Sequence, residues 1–120
     1  MNERVTILGG GSWGMAISRL LVAKGCQVVM WEFDPDDYRR LVTTRSNPRK
    51  LPSFRLDDRV VLTDGLGEAV AEAEVVVVAI ASQHVRSVLR GASRHVTKGA
   101  VVVNLAKGIE GGTLKRMSEV

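Results

Sequence analysis

An α/β fold built on a doubly wound parallel sheet is what this sequence predicts, and three observations carry the expectation. Short apolar runs alternate with helical patterns along the whole chain. The runs Val75–Ile80 and Ala100–Leu105 are β-branched and apolar throughout, as expected of parallel strands covered on both faces. A glycine-rich turn, Gly9-Gly-Gly-Ser-Trp-Gly14, joins the first strand pattern to the first helix pattern. In such a fold that junction is where ligand lies.

Each element has its own local reason. Arg4 to Leu8 is a short apolar-centred run, read as a central strand. From Trp13 the apolar positions Ala16, Ile17, Leu20 and Leu21 follow helical spacing, and Lys24-Gly25 supplies a cation and a glycine at the helix end. Gln27 to Trp31 is the second strand. Asp34-Pro35-Asp36-Asp37 is a helix start, with an N-cap, a proline in the first position and acids in the first turn. That helix runs to about Arg45 and gives way to Asn47-Pro-Arg-Lys-Leu-Pro52, where two prolines exclude regular helix. Val60 to Thr63 reads as a short strand and Leu66 to Glu72 as a short helix. Val75–Ile80 follows as a central strand. Ser82 is placed to cap a helix that carries Val85, Val88 and Leu89 inward, and Ala100–Leu105 is a second strand of the same type as Val75–Ile80.

The bulk numbers set bounds. With 120 residues, 45% of them apolar, the chain is expected to form one domain, residues 1–120. The segment Leu114 to Val120 reads as a helix cut off in its second turn, which suggests an N-terminal fragment of something longer. The single cysteine, Cys26, excludes an internal disulfide and reads as an inert thiol before a strand. There is no apolar stretch of about 18 residues and no signal-peptide layout, so a cytoplasmic location without a membrane span is expected. The 17 basic and 13 acidic side chains leave a net charge of +4, with Arg39, Arg40, Arg45, Arg49, Lys50, Arg55 and Arg59 clustered. Aromatic residues do not interleave with them, so the cluster reads as a solvated face and not as a nucleic-acid surface.

The chemistry converges on one cleft. Gly9, Gly11 and Gly14 have the spacing of a dinucleotide fingerprint. The first permits the tight turn, the second lets backbone approach a diphosphate, and the third lets the helix pack closely on the sheet. Amides at the helix start and the positive end of its dipole then face the phosphates. Glu32, 18 residues beyond Gly14 at the end of the second strand, is positioned to accept hydrogen bonds from ribose hydroxyls, with Asp34 as a competitor. Arg39 or Arg40 leaves room for a 2′-phosphate, so NAD and NADP both stay open. The strand ends gather Gly9–Gly14, Glu32-Phe33, Ala81-Ser82-Gln83-His84 and Ala106-Lys107-Gly108 around this Rossmann-like crevice. Lys107 alone in that set brings a full positive charge to the reactive end, able to polarise a carbonyl oxygen or hold a substrate anion. His84 reads as a surface or cleft-wall histidine and not as a base, and His95 has less to recommend it. No nucleophile elbow, Walker lysine or metal-ligand spacing is found.

Five blocks in order then carry a resemblance: Gly9-Gly-Gly-Ser-Trp-Gly14, Val29-Met-Trp-Glu-Phe-Asp34, Asn47-Pro-Arg-Lys-Leu-Pro52, Ala81-Ser-Gln-His-Val-Arg86 and Ala106-Lys-Gly-Ile-Glu110. Across essentially the whole chain the sequence resembles the N-terminal domain of NAD(P)-dependent glycerol-3-phosphate dehydrogenase. It departs from that family at Ala81, where proline is usual, and at Ala106, where threonine is frequent.

The resemblance implies reversible hydride transfer between a nicotinamide cofactor and dihydroxyacetone phosphate, giving sn-glycerol 3-phosphate for phospholipid synthesis. Ser12 and Trp13 would lie at the diphosphate, Glu32 and Phe33 near the adenosine end, Ser82 in the same cleft, and Lys107 near both cofactor and substrate. A helical C-terminal domain absent from this chain would bring the proton-transferring lysine and most contacts to the phosphorylated small-molecule substrate. A homodimer is kept open for the full-length protein. Two rivals remain: another hydroxyacid or ketopantoate-type dehydrogenase, and a nucleotide-sensing regulatory module without catalysis.

Overall fold

The computed structural model describes residues 3–80, 82–96 and 99–104, with backbone alone at 82 and 83. The elements follow one another as β1 (Arg4–Leu8), α1 (Ser12–Ala23), β2 (Gln27–Trp31), α2 (Pro35–Thr44), β3 (Val61–Thr63), α3 (Leu66–Val70), β4 (Val75–Val78), α4 (Ser82–Ala92) and β5 (Val101–Asn104). All strand pairs are parallel, in the order β3-β2-β1-β4-β5. Strand order therefore reverses between β1 and β4. That is where the carboxyl ends of two neighbouring strands lead in opposite directions and open a crevice.

Alternation along the strands sends side chains to two separate cores. Ile7, Met30 and Val77 pack with Met15 and Val22 of α1 and Leu41 of α2 on one face. Leu8, Trp31, Val76 and Val78 pack with Ala69 and Val70 of α3 and Val85, Val88 and Ala92 of α4 on the other. The uninterrupted apolar character of β4 has this cause, since the strand is covered twice, and the one polar side chain inside β1, that of Thr6, is buried with its hydroxyl donating to the Ala69 carbonyl. A fully buried side chain of this size contributes about 1.5–3 kcal/mol.

The local signals behave as their chemistry requires. Asp34 has extended backbone and its Oδ1 accepts from the N–H groups of Asp36 and Asp37 at 2.9 and 3.2 Å. With that side chain engaged, its use as a cap outweighs its use as a ribose ligand. Asp34→Ala is expected to lower stability by about 1 kcal/mol, read as a shift of the urea midpoint at unchanged slope. Gly25, just past α1, takes φ +89°, the left-handed conformation glycine adopts without a steric penalty.

Three expectations are corrected. In α1 the buried stripe is Gly14, Met15, Ser18 and Val22, while Leu20 is 60% exposed. The helix is apolar nearly all round, so its facing is decided by the glycine that must touch the sheet and not by the largest side chains. The short helix stops at Val70, before the charged end of the expected span. Finally, β5 differs from β4: among the described residues it pairs with β4 alone, and Val101, Val102 and Val103 are 58, 51 and 40% exposed.

The arginine-rich segment is largely neutralised by its own neighbours. Arg39 pairs with Asp36, Arg40 with Asp37, Arg55 with Asp58 and Arg59 with Asp57, while Arg45 Nη1 donates to the carbonyls of Asp57 and Val60. The Arg59 guanidinium holds the Asp57 carboxyl down at about 2. Asn47 is fully buried, and its Nδ2 donates to Asp37 Oδ1 at 2.9 Å, tying the proline-bounded loop to the first turn of α2.

Candidate functional site

The crevice is built first from glycines, and each responds differently to an imagined methyl group. At Gly9 the backbone has φ +122°, and a Cβ would collide with the carbonyl oxygen of Ala79 at the end of β4. The turn is thus pressed against the neighbouring strand, and its amide donates to the Trp31 carbonyl at 2.7 Å. At Gly14 a Cβ would collide with the Gly9 carbonyl and stand 3.3 Å from Ile7 Cγ2, the close helix-on-strand packing expected of the last fingerprint glycine. At Gly11 a Cβ would meet nothing within 4 Å. The space above the turn is open on that side.

Sequence reasoning missed Gly10. A Cβ there would stand 2.7 Å from Leu41 Cδ1 and 3.0 Å from Glu32 Oε1, so the turn has a closed underside formed by α2 and the end of β2. The available signal was the third consecutive glycine, one more than the spacing needs.

The start of α1 is suited to an anion. Gly11 is its N-cap, no side chain caps it, and its first turn holds no acid. The contrast with α2, whose start is capped by Asp34 and flanked by Asp36 and Asp37, is a difference in what each helix dipole faces. Ser12 and Trp13 are both exposed at this end of the helix.

Glu32 is 5% exposed, and its two oxygens are directed at backbone. Oε1 accepts from the Gly10 N–H and Oε2 from the Asp34 N–H, each at 2.8 Å. Burial pushes its carboxyl above the ordinary glutamate value; the two amides act in the opposite sense, and the charges of Asp37 and Asp34 add to the rise. Next to it Phe33 is 48% exposed. Its ring lies 6.1 Å from that of Trp31 and 5.3 Å from that of His84, centroid to centroid. An aromatic wall therefore joins the end of β2 to the start of α4. His84 supplies its end on the α4 side. The Trp31 indole N–H is itself fixed by the Asp64 carbonyl at 3.0 Å.

Of the expected site residues, Gly9, Gly11, Ser12, Trp13, Gly14, Glu32 and Phe33 are gathered at the carboxyl ends of β1 and β2. Lys107 lies outside the described residues, as does the side chain of Ser82. Among the described residues no group of His, Cys, Asp and Glu could hold a metal ion, and no helix is long and apolar enough to cross a membrane.

The family described as the N-terminus of NAD-dependent glycerol-3-phosphate dehydrogenase matches residues 4–120. A glycerol-3-phosphate dehydrogenase [NAD(P)+] of Pelotomaculum thermopropionicum is 42% identical over the whole chain, which spans 34% of that protein. One from Frankia casuarinae is 44% identical over 98% of the chain, spanning 35% of that relative. Among solved structures, glycerol-3-phosphate dehydrogenase from Coxiella burnetii superposes with a TM-score of 0.89 at 21% identity, covering 98% of this chain and 36% of that one. The chain thus spans about a third of the length of the relatives it matches.

Proposed function

Given that the chain belongs to the family of the NAD-dependent glycerol-3-phosphate dehydrogenase N-terminus, we propose that it holds NAD or NADP in the crevice between β1 and β4. In the full-length polypeptide it would serve a dehydrogenase interconverting sn-glycerol 3-phosphate and dihydroxyacetone phosphate. The observation that carries the reading is the asymmetry of the glycine turn. Three of its glycines are crowded by protein, while Gly11 faces open space beside an uncapped, acid-free helix start. A Cβ would fill the cradle that a diphosphate needs.

The residues divide the work. The turn and the start of α1, with Ser12 and Trp13, bind the diphosphate through backbone amides and fixed dipoles. The wall of Phe33 and His84 offers an aromatic surface for the adenine ring at the β2 end. Ser82 lies on the same cleft. Lys107 holds the substrate anion and polarises its carbonyl oxygen. When bound, the cofactor supplies the hydride, and the protein supplies orientation and charge. A C-terminal helical domain would complete the substrate site.

The 120-residue chain is therefore expected to bind NADH, with fluorescence titration giving a saturable signal, and to show no dehydrogenase turnover by itself. Measurable turnover from the purified chain would refute the need for further residues. A chain that bound neither NADH nor NADPH would refute the cofactor site. Binding without turnover in the full-length polypeptide would favour a nucleotide-sensing module instead.

A further inference from the structure

A buried carboxylate directly beneath a site for an anionic ligand is an uncomfortable arrangement, and the structure shows what it is fastened to. Glu32 sends Oε1 to the Gly10 N–H and Oε2 to the Asp34 N–H, both at 2.8 Å. Gly10 is enclosed on the same side by Leu41, and the preceding amide, that of Gly9, donates to the Trp31 carbonyl. Two successive amides of the turn are thus tied to two successive residues at the end of β2. One tie uses backbone; the other uses this carboxylate. With each oxygen already accepting a backbone N–H and the residue 5% exposed, little of the Glu32 carboxylate is left to meet ribose hydroxyls.

We propose that Glu32 is a positioning residue of the cofactor site: its carboxylate clamps the Gly10 amide to the end of β2, presets the turn that faces the diphosphate, and acts alike on NAD and NADP. The effect on affinity rests on the cofactor reading above; the clamp itself does not. The clamp has a chemical logic. It removes the Gly10 amide from the ligand side, leaving Gly11 and the start of α1 to meet the phosphates. It also satisfies a buried N–H that α2 shields from water. Burial raises the carboxyl value, and the two amide donors work against that rise, so they offset part of the cost of placing the carboxylate here. The groups that face Glu32 from the packed elements are the Gly10 amide of the turn, Asp34 at the N-cap of α2 and Asp37 within α2.

The test uses E32Q and E32A in this chain with two readouts. The first is hydrogen exchange of the Gly10 amide, followed by NMR without cofactor. The clamp predicts protection in the wild type and exchange about tenfold faster in E32A. E32Q, which keeps one acceptor oxygen, is expected to fall between the two. The second readout is affinity for NADH and NADPH. Both are expected to weaken by a similar factor, about tenfold in E32A and less in E32Q, with the ratio of the two affinities unchanged.

Unchanged Gly10 exchange in both variants would overturn the clamp. A loss confined to NADH, with NADPH binding equal or improved, would make Glu32 a reader of the ribose 2′ position and overturn the proposal. A wild type that protects Gly10 yet binds neither cofactor would overturn the link to affinity by removing the cofactor reading, while the retained protection identifies which half failed. E32Q, nearly isosteric with the native residue, keeps the test open should E32A fail to fold.

Discussion

Gly9→Ala is expected to cost the chain about 3 kcal/mol of stability, whereas the same change at Gly11 is expected to spare the fold and abolish cofactor binding. At position 9 the methyl group meets the Ala79 carbonyl, a piece of backbone just past β4 whose own N–H donates to the Leu8 carbonyl, and φ of +122° is one that residues with a side chain rarely adopt. Strain of that kind costs about 1–3 kcal/mol and overpacking adds a comparable amount. At position 11 φ is −83° and a Cβ meets nothing within 4 Å, so only the N-cap preference is lost, about 1 kcal/mol or less. Yet that methyl group occupies the side from which a diphosphate must approach. Urea unfolding and NADH titration on the two variants separate the effects. Gly11→Ala binding NADH like the wild type would move the ligand elsewhere.

Lys107→Ala, made in the full-length polypeptide, is expected to lower turnover by about 100-fold or more while changing the dissociation constant for NADH only severalfold. The reason is differential. A lone cation facing a carbonyl oxygen is worth most when that oxygen gains charge as hydride arrives, and removing one such group typically costs about 100- to 1000-fold in rate. Cofactor affinity, on the proposed reading, would draw by contrast on the whole turn and on the ring surface of Phe33 and His84. Steady-state rates with dihydroxyacetone phosphate, set beside NADH titration, read the two quantities. Unchanged turnover would remove Lys107 from the mechanism. An equal loss in both would make it a binding residue only.

Much of this was legible in the sequence because the relevant signals are local. Strands β1 and β2 have the bounds expected of them, each a polar first residue followed by a mainly apolar run. Asp34 caps α2 because its neighbours, a proline and two acids, suit the first turn of a helix. The roles of Gly9 and Gly14 follow from spacing, since a turn off a strand and a helix lying on it constrain the same few positions in any such unit. What escaped the sequence depends on contacts between distant segments. Which face of α1 turns inward is set by Gly14 against Ile7, so the helical spacing of the apolar residues did not reveal that Leu20 stays 60% exposed. The direction of the Glu32 carboxylate is set by Gly10, 22 positions away, and by Leu41 of α2 behind it. Residue type alone says that an acid stands at the end of β2; it does not say whether the acid looks outward or down.

The pairing of the arginine-rich segment with its own acids bears on how a dinucleotide would arrive. Four guanidinium groups each lie within 4.0 Å of a carboxylate two or three residues away. At distances beyond a Debye length, about 8 Å at physiological ionic strength, such couples look like small dipoles and their fields fade quickly. These four pairs would do little to draw a charged visitor from afar, and the long-range attraction of the segment is left to Arg45, Arg49 and Lys50. Capture would fall mainly to short-range recognition at the turn itself, and encounter rates should vary less with added salt than seven unpaired cations would make them.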